Sequence, residues 1–153
     1  MSEVRRIVDQ LERAYRGEAW HGPSLREVLK GVTARQAFRR PVPRAHSIAE
    51  LVLHITAWTQ SPADALTGQP MPPVVPELDW PAPAASTART WRLALDSLDR
   101  AHRLLIARTR RLTDARMRTI VPGRKYDFYF LLHGVIQHNL YHAGQIALLK
   151  KEA

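Results

Sequence analysis

GVIQHNLYHAGQIALLKK, residues 134–151, is the stretch on which the fold turns. Wound as a helix, it places His138 and His142 about 40° apart around the axis and about 6 Å apart along it. With His138 as zero, Leu131 and Leu149 fall at about 20°, Val135 at about 60° and Gln145 at about 340°, so the two histidines occupy the middle of an apolar seam and point into a bundle. The Lys150–Lys151 pair suits a helix C-terminus, where cations meet the negative end of the macrodipole. The pattern predicts one long helix over roughly residues 127–151.

Working outward, HSIAELVLHITAW (46–58) starts with a Ser47/Glu50 capping box and is apolar nearly all round, which predicts a mostly buried helix near 47–60. Residues 61–86 hold seven prolines and Gly68 without a sustained apolar period, the mark of a long crossover loop placed as a lid over a site. Trp91, Ala94, Leu95, Leu98, Ala101, Leu105 and Leu112 recur at helical spacing over 87–113. Val4, Ile7, Val8, Leu11, Ala14 and Tyr15 do the same over 3–16, and Gly17 marks the stop. Between the first two long helices, Ser24/Glu27 and Thr33/Gln36 are two further capping boxes separated by Gly31, which predicts two short helices. No strand pattern and no internal repeat emerges. The expected fold is all-α: a four-helix bundle with additional short helices and a long proline-rich crossover loop, forming a single domain over 1–153.

Composition narrows the chemistry. At 153 residues and 45% hydrophobic content the chain can bury one sizeable core. It has no cysteine, which excludes disulfides, thiolate metal sites, iron–sulfur clusters and a cysteine nucleophile. The charged N-terminal stretch lacks the apolar run of a signal peptide and no later stretch reads as a membrane span, so a cytoplasmic location is expected. The net charge of +9 raises the question of nucleic acid. Arg39–Arg40 and Arg108–Arg110–Arg111 are short groups without interleaved exposed aromatics, and nucleic acid is not an expected partner.

A His-x-x-x-His pair alone is weak, because two core histidines bonded to carbonyls or waters explain it equally well. His54 shifts the balance: it lies mid-helix on a face shared with Leu51 and Trp58 and should also point inward. Three converging imidazoles are costly if uncoordinated, since each brings two polar nitrogens into a dry interior. One divalent ion satisfies a nitrogen of each and leaves a fourth position open, the arrangement of catalytic zinc sites. Asn139 stands where a His-Glu-x-x-His protease has its general base, and a pair of Glu-x-x-His motifs for a ferritin-like centre is absent.

AWHGPSLREVLKGV (19–32), HSIAELVLHITAW and GVIQHNLYHAGQIALLKK, in that order, with a proline-rich insertion and a long helix between the last two, resemble the DinB-like superfamily of metal-binding four-helix bundles. The resemblance spans nearly the whole chain and implies a metal site at His54, His138 and His142 carrying zinc, nickel or a similar divalent ion, frequently in a homodimer. It also implies a metal-dependent transferase or hydrolase, in which the ion activates a low-molecular-weight thiol or water. The alternative is a non-catalytic metal or small-ligand binding protein of the same fold.

Other residues have weaker claims. His21, before the Gly22–Pro23 turn, and His102, on the seam of the 87–113 helix, are candidate pocket residues, against a surface histidine and a hydrogen-bonded core histidine respectively. His133 faces elsewhere and His46 precedes a cap. Gln145, Tyr141 and Asn139 are candidates to orient a ligand ring, against a helix-packing role for each, and Glu50 is accounted for by its capping box. Trp58 and Trp80 are candidates for the pocket wall, against plain core aromatics, and Arg39, Arg40, Arg124 and Lys125 are candidates for recognising an anionic substrate, against a solvated surface.

Overall fold

Helix caps and apolar faces account for the architecture. The computed structural model describes residues 2–152. Its helices are α1 (Glu3–Arg16), α2 (Leu25–Leu29), α3 (Ala34–Phe38), α4 (Ile48–Ala65), α5 (Pro76–Asp79), α6 (Ala88–Thr109), α7 (Asp114–Met117) and α8 (Phe128–Glu152), with no strand among the described residues. The capping boxes at Ser24/Glu27, Thr33/Gln36 and Ser47/Glu50 all form, and Thr87/Thr90 adds a fourth at the start of α6.

The four long helices make a square. α4 packs most extensively on α6 and also on α8, while α1 packs on α6 and α8, so the sides are α1–α6–α4–α8. The seams α4/α8 and α1/α6 therefore lie on opposite sides of the bundle. α2 leans on α1 and α8, and α3 on α4 and α6, closing one end. The core divides into three clusters: one around Leu25, Val52, Ile55, Leu98 and Ile146, a second around Ile7, Leu11, Leu105 and Leu132, and a smaller third around Met71, Val121, Phe128 and Leu131. No helix among the described residues is long and apolar enough to cross a membrane.

Two boundaries differ from the sequence expectation. α4 continues past Ser61 to Ala65, through Pro62. Pro62, Ala63 and Ala65 are buried, and Arg108 donates to the Ala63 carbonyl at 2.8 Å and to Asp64 Oδ1 at 2.6 Å, so packing and this clamp outweigh the backbone bond that proline forgoes. α6 stops at Thr109 because Thr113 adopts an extended conformation and caps α7, accepting from the Arg116 amide.

The buried arc of α8 is also wider than expected. It runs from Leu131 and Leu149 through Ile146 and Asn139 to Ile136, about 140° of the circumference, because α8 faces α1, α2 and α4 together. His138 and His142 lie at the α4 edge of this arc rather than in its middle, and His138 is only half-buried.

Between α4 and α6 the chain crosses the bundle with α5 as its only helix. The crossing is pinned where the Met71 amide donates to the Pro122 carbonyl at 3.0 Å and Arg124 donates to the Met71 and Pro72 carbonyls. Gly123 permits this approach: its φ is +78°, and a Cβ there would lie 3.1 Å from the Met71 oxygen.

Candidate metal centre

His54 is carried by α4 and His138 and His142 by consecutive turns of α8, across the seam where these helices pack. Their Nε2 atoms converge: His138 Nε2 is 2.9 Å from His54 Nε2 and 3.1 Å from His142 Nε2. Ligand atoms of all three lie within 4.8 Å of one another. Both short separations are within a few tenths of an ångström of the about 3.3 Å kept by nitrogens on one tetrahedral ion with bonds of about 2.05 Å.

The distal nitrogens set the tautomers. His54 Nδ1 lies 2.5 Å from the Asp79 carbonyl oxygen and His142 Nδ1 lies 2.6 Å from Gln145 Oε1. Both partners only accept, so each Nδ1 carries the proton and donates it. The Nε2 atoms of His54 and His142 are thus left with bare lone pairs, both facing His138 Nε2. One proton on His138 answers one of them; a cation answers all three nitrogens at once. Burial keeps the rings neutral: it pushes His138 down to about 3, helped by its two neighbours, and is the main cause lowering His54 and His142 as well. Neutral imidazole is the form that binds metal. The donor set fits a divalent ion.

The crossover segment covers the centre. Trp80 stacks on His54 with ring centroids 3.9 Å apart, and His46 stacks on the other face of Trp80 at 3.6 Å. Asp79 serves twice, through its carbonyl to His54 and through Oδ1, which accepts from Trp58 Nε1 at 2.7 Å. Beside Trp80 a cleft of about 330 Å³ reaches His142 and Gln145, with Val42, Leu51, Tyr141 and Leu148 in its walls.

The structure brings His54, His138 and His142 together and places the two candidate pocket histidines, His102 and His21, apart from them. His102 is on the opposite seam, stacked on Tyr15 at 3.9 Å. His21 is exposed, its Nε2 3.3 Å from the Pro23 carbonyl, in a cleft with Arg13, Ile136 and Leu140 on the α1 side of α8. Gln145 orients His142, and Tyr141 meets that ring edge-on at 5.0 Å, whereas Asn139 faces the core. Glu50 is held by its cap and by Arg40. Arg124 is spent on backbone carbonyls, so neither Arg40 nor Arg124 is free for an anionic substrate, and Arg39 and Lys125 are exposed. Sequence reasoning missed Asp79 and gave His46 no part. A backbone acceptor leaves no trace in residue type; the weak signal was PELDW, a proline-started turn ending in an aromatic.

The family profile of the DinB superfamily matches residues 19–146, a span that includes all three histidines. No curated protein and no solved structure matches the chain.

Proposed function

The chain belongs to the DinB superfamily, and from that premise we propose that it is a metal-dependent enzyme whose His54, His138 and His142 hold one zinc or nickel ion with a coordination position left open. The observation that carries this reading is the pairing of Nδ1–H donors on His54 and His142 with fixed acceptors, which turns the other nitrogens inward as lone pairs. A bound divalent ion supplies Lewis acidity, lowering the pKa of a water or a low-molecular-weight thiol at its open position.

This chain's own residues do the rest. Asp79 and Gln145 fix two ring orientations. Trp80 covers one face of His54 and keeps water from it. The cleft at His142 offers apolar walls and no unpaired cation, which suits an uncharged substrate group. The reaction is transfer of the activated thiol, or hydrolysis by the activated water. Untagged protein should retain close to one equivalent of transition metal and, so loaded, conjugate electrophiles with bacillithiol, mycothiol or glutathione, or cleave simple esters. A protein that takes up no metal on reconstitution ends this reading. Full metal uptake with no turnover across the panel favours the alternative, a non-catalytic binding protein, for which the near-complete burial of His54 and His142 speaks.

A homodimer through the outer face of α8 is part of the proposal. Phe130, Tyr141 and Leu148 are each more than 60% exposed there, and no charged residue occurs from Phe128 to Leu149. For copies that each carry +9, a neutral apolar face is where self-association meets least repulsion. Tyr141 and Leu148 also wall the cleft at His142, so a partner packed on them would narrow its mouth. Light scattering that gives the monomer mass throughout the micromolar range would refute the dimer.

A further inference from the structure

We propose that α8 pairs antiparallel with the α8 of a second copy about a two-fold axis level with Asn139, so that Phe130 of the partner subunit closes the mouth of the cleft at His142. This rests on the homodimer reading above and fixes its register. On the outer face of α8, Phe130, Gly134, Gln137, Tyr141, Gly144 and Leu148 follow one another at intervals of four, three, four, three and four residues. That is the seam of a two-helix coiled coil, and the six positions fall within about 80° of the circumference. Phe130, Tyr141 and Leu148 are the large exposed members, and Gln137 and Gly144 are exposed with them. The intervals read the same in both directions. Asn139 lies midway between Phe130 and Leu148, between Gly134 and Gly144, and between Gln137 and Tyr141. A face whose register is its own reverse is self-complementary under a two-fold axis, which identifies the occupant as a second copy of this chain.

The pairing accounts for what the single chain leaves unexplained. Glycine is, after proline, the least favourable residue inside a helix, yet α8 carries two on this face. A Cβ at Gly134 or Gly144 would meet nothing within 4 Å in the single chain, so the bundle itself has no use for the missing side chains. The close approach of a second helix does. Trp20, fully exposed on the turn from Ala19 to Gly22, borders Ile136 and Leu140, on the α1 flank of α8 near the level of Asn139. A two-fold axis there keeps each flank on its own side, so the two indoles face each other beside the axis. Gln137, the one amide of the seam, comes opposite the Tyr141 hydroxyl of the partner subunit, and opposed helix dipoles favour this direction over the parallel one. Tyr141 and Leu148 are already walls of the cleft that reaches His142. Phe130 of the partner subunit lands on Leu148 and adds an aromatic wall from the second chain. Each copy therefore completes the other's cleft.

The chain has no cysteine, so engineered thiols report the register directly. Full-length Gly134→Cys and Gly144→Cys are co-expressed, one with a size tag, and oxidised with diamide; each is also oxidised alone. In the antiparallel register residue 134 meets residue 144 across the seam. Two copies of residue 134 lie about 15 Å apart along the helices, well beyond the about 7 Å that a disulfide spans. The expected result is at least about tenfold more cross-linked product from the pair than from either variant alone. Phe130→Cys with Leu148→Cys, joined by a short bismaleimide, keeps both glycines and should again react only as a pair, which places Phe130 of the partner subunit at the cleft wall. Light scattering of wild type and of the reduced variants separates the two ways to fail. Monomers in wild type end the dimer reading and this inference with it. A wild-type dimer in which single variants cross-link as readily as the pairs is parallel, and one in which neither pair cross-links uses another face or register; both overturn the inference and leave the dimer standing.

Discussion

Two seams of the same bundle carry buried histidines, and they solve the imidazole's two-nitrogen problem in opposite ways. On α4/α8 the two nearly buried rings each hand one nitrogen to a fixed acceptor and turn the other toward the half-buried third. On α1/α6 a lone ring is fixed by stacking on Tyr15 and has no acceptor at all. Depth is similar for His54, His142 and His102, all of which are nearly buried. What distinguishes His54 and His142 from His102 is the acceptor behind each ring, which fixes the tautomer and hence the direction of the free lone pair; His138, whose Nδ1 has no partner, is placed by the two rings it meets.

The largest effect that would break this contrast is loss of a ligand. Alanine at His54, His138 or His142 should weaken zinc or nickel binding by about a hundredfold in a chelator competition, whereas His102→Ala should leave it within about twofold. Equal losses at His102 and His54 would mean that the seams are not distinct. The next effect is acid sensitivity on the other seam. His102 titrates near 3 when folded and near 6.5 when unfolded, so the unfolded chain takes up the proton first. The stability from keeping the ring neutral is complete above about pH 6.5 and is lost as pH falls toward 3, at up to about 1.4 kcal/mol per pH unit. In denaturant melts of metal-free protein, where His138, also pushed down to about 3, adds a slope of the same sign, His102→Leu should reduce the slope and leave the His138 share; an unchanged slope would show that the ring reaches water.

Smaller again is the acceptor itself. Gln145→Leu should leave the ligands in place and lower metal affinity by about tenfold, with partial recovery in Gln145→Glu. If Gln145→Leu binds as wild type, tautomer control does not separate the seams. The smallest effect is at His133, half-buried on the same helix as His138 and His142 but with no part in their cluster: alanine there should shift metal affinity by less than about twofold, measured in the same competition.

Much of this was legible from periodicity. The four long helices and three of the capping boxes follow from residue spacing, because a cap is a local contract between neighbours in sequence. The convergence of His54 with the distant pair was legible too, since each lies on an apolar face and a bundle of this size has one interior. Pro62 misled because a helix-breaking residue was weighed without the tertiary clamp from Arg108. The expected centring of the histidines failed because helical phase gives a direction relative to the helix itself but not how many neighbours surround it. Asp79 was invisible for another reason: its contribution to His54 is a carbonyl, which every residue owns.

That last point has a consequence for how such a chain can drift. The acceptor on His54 is main chain, so substitutions at position 79 can alter the bond to Trp58 but cannot delete the group that faces the histidine. Its arrival depends instead on how many residues separate the anchor at Met71 from the turn at Pro76–Asp79. The letters of this segment are free to wander while their count is not, and a single-residue deletion between 72 and 75 should harm the centre more than any exchange of side chains there.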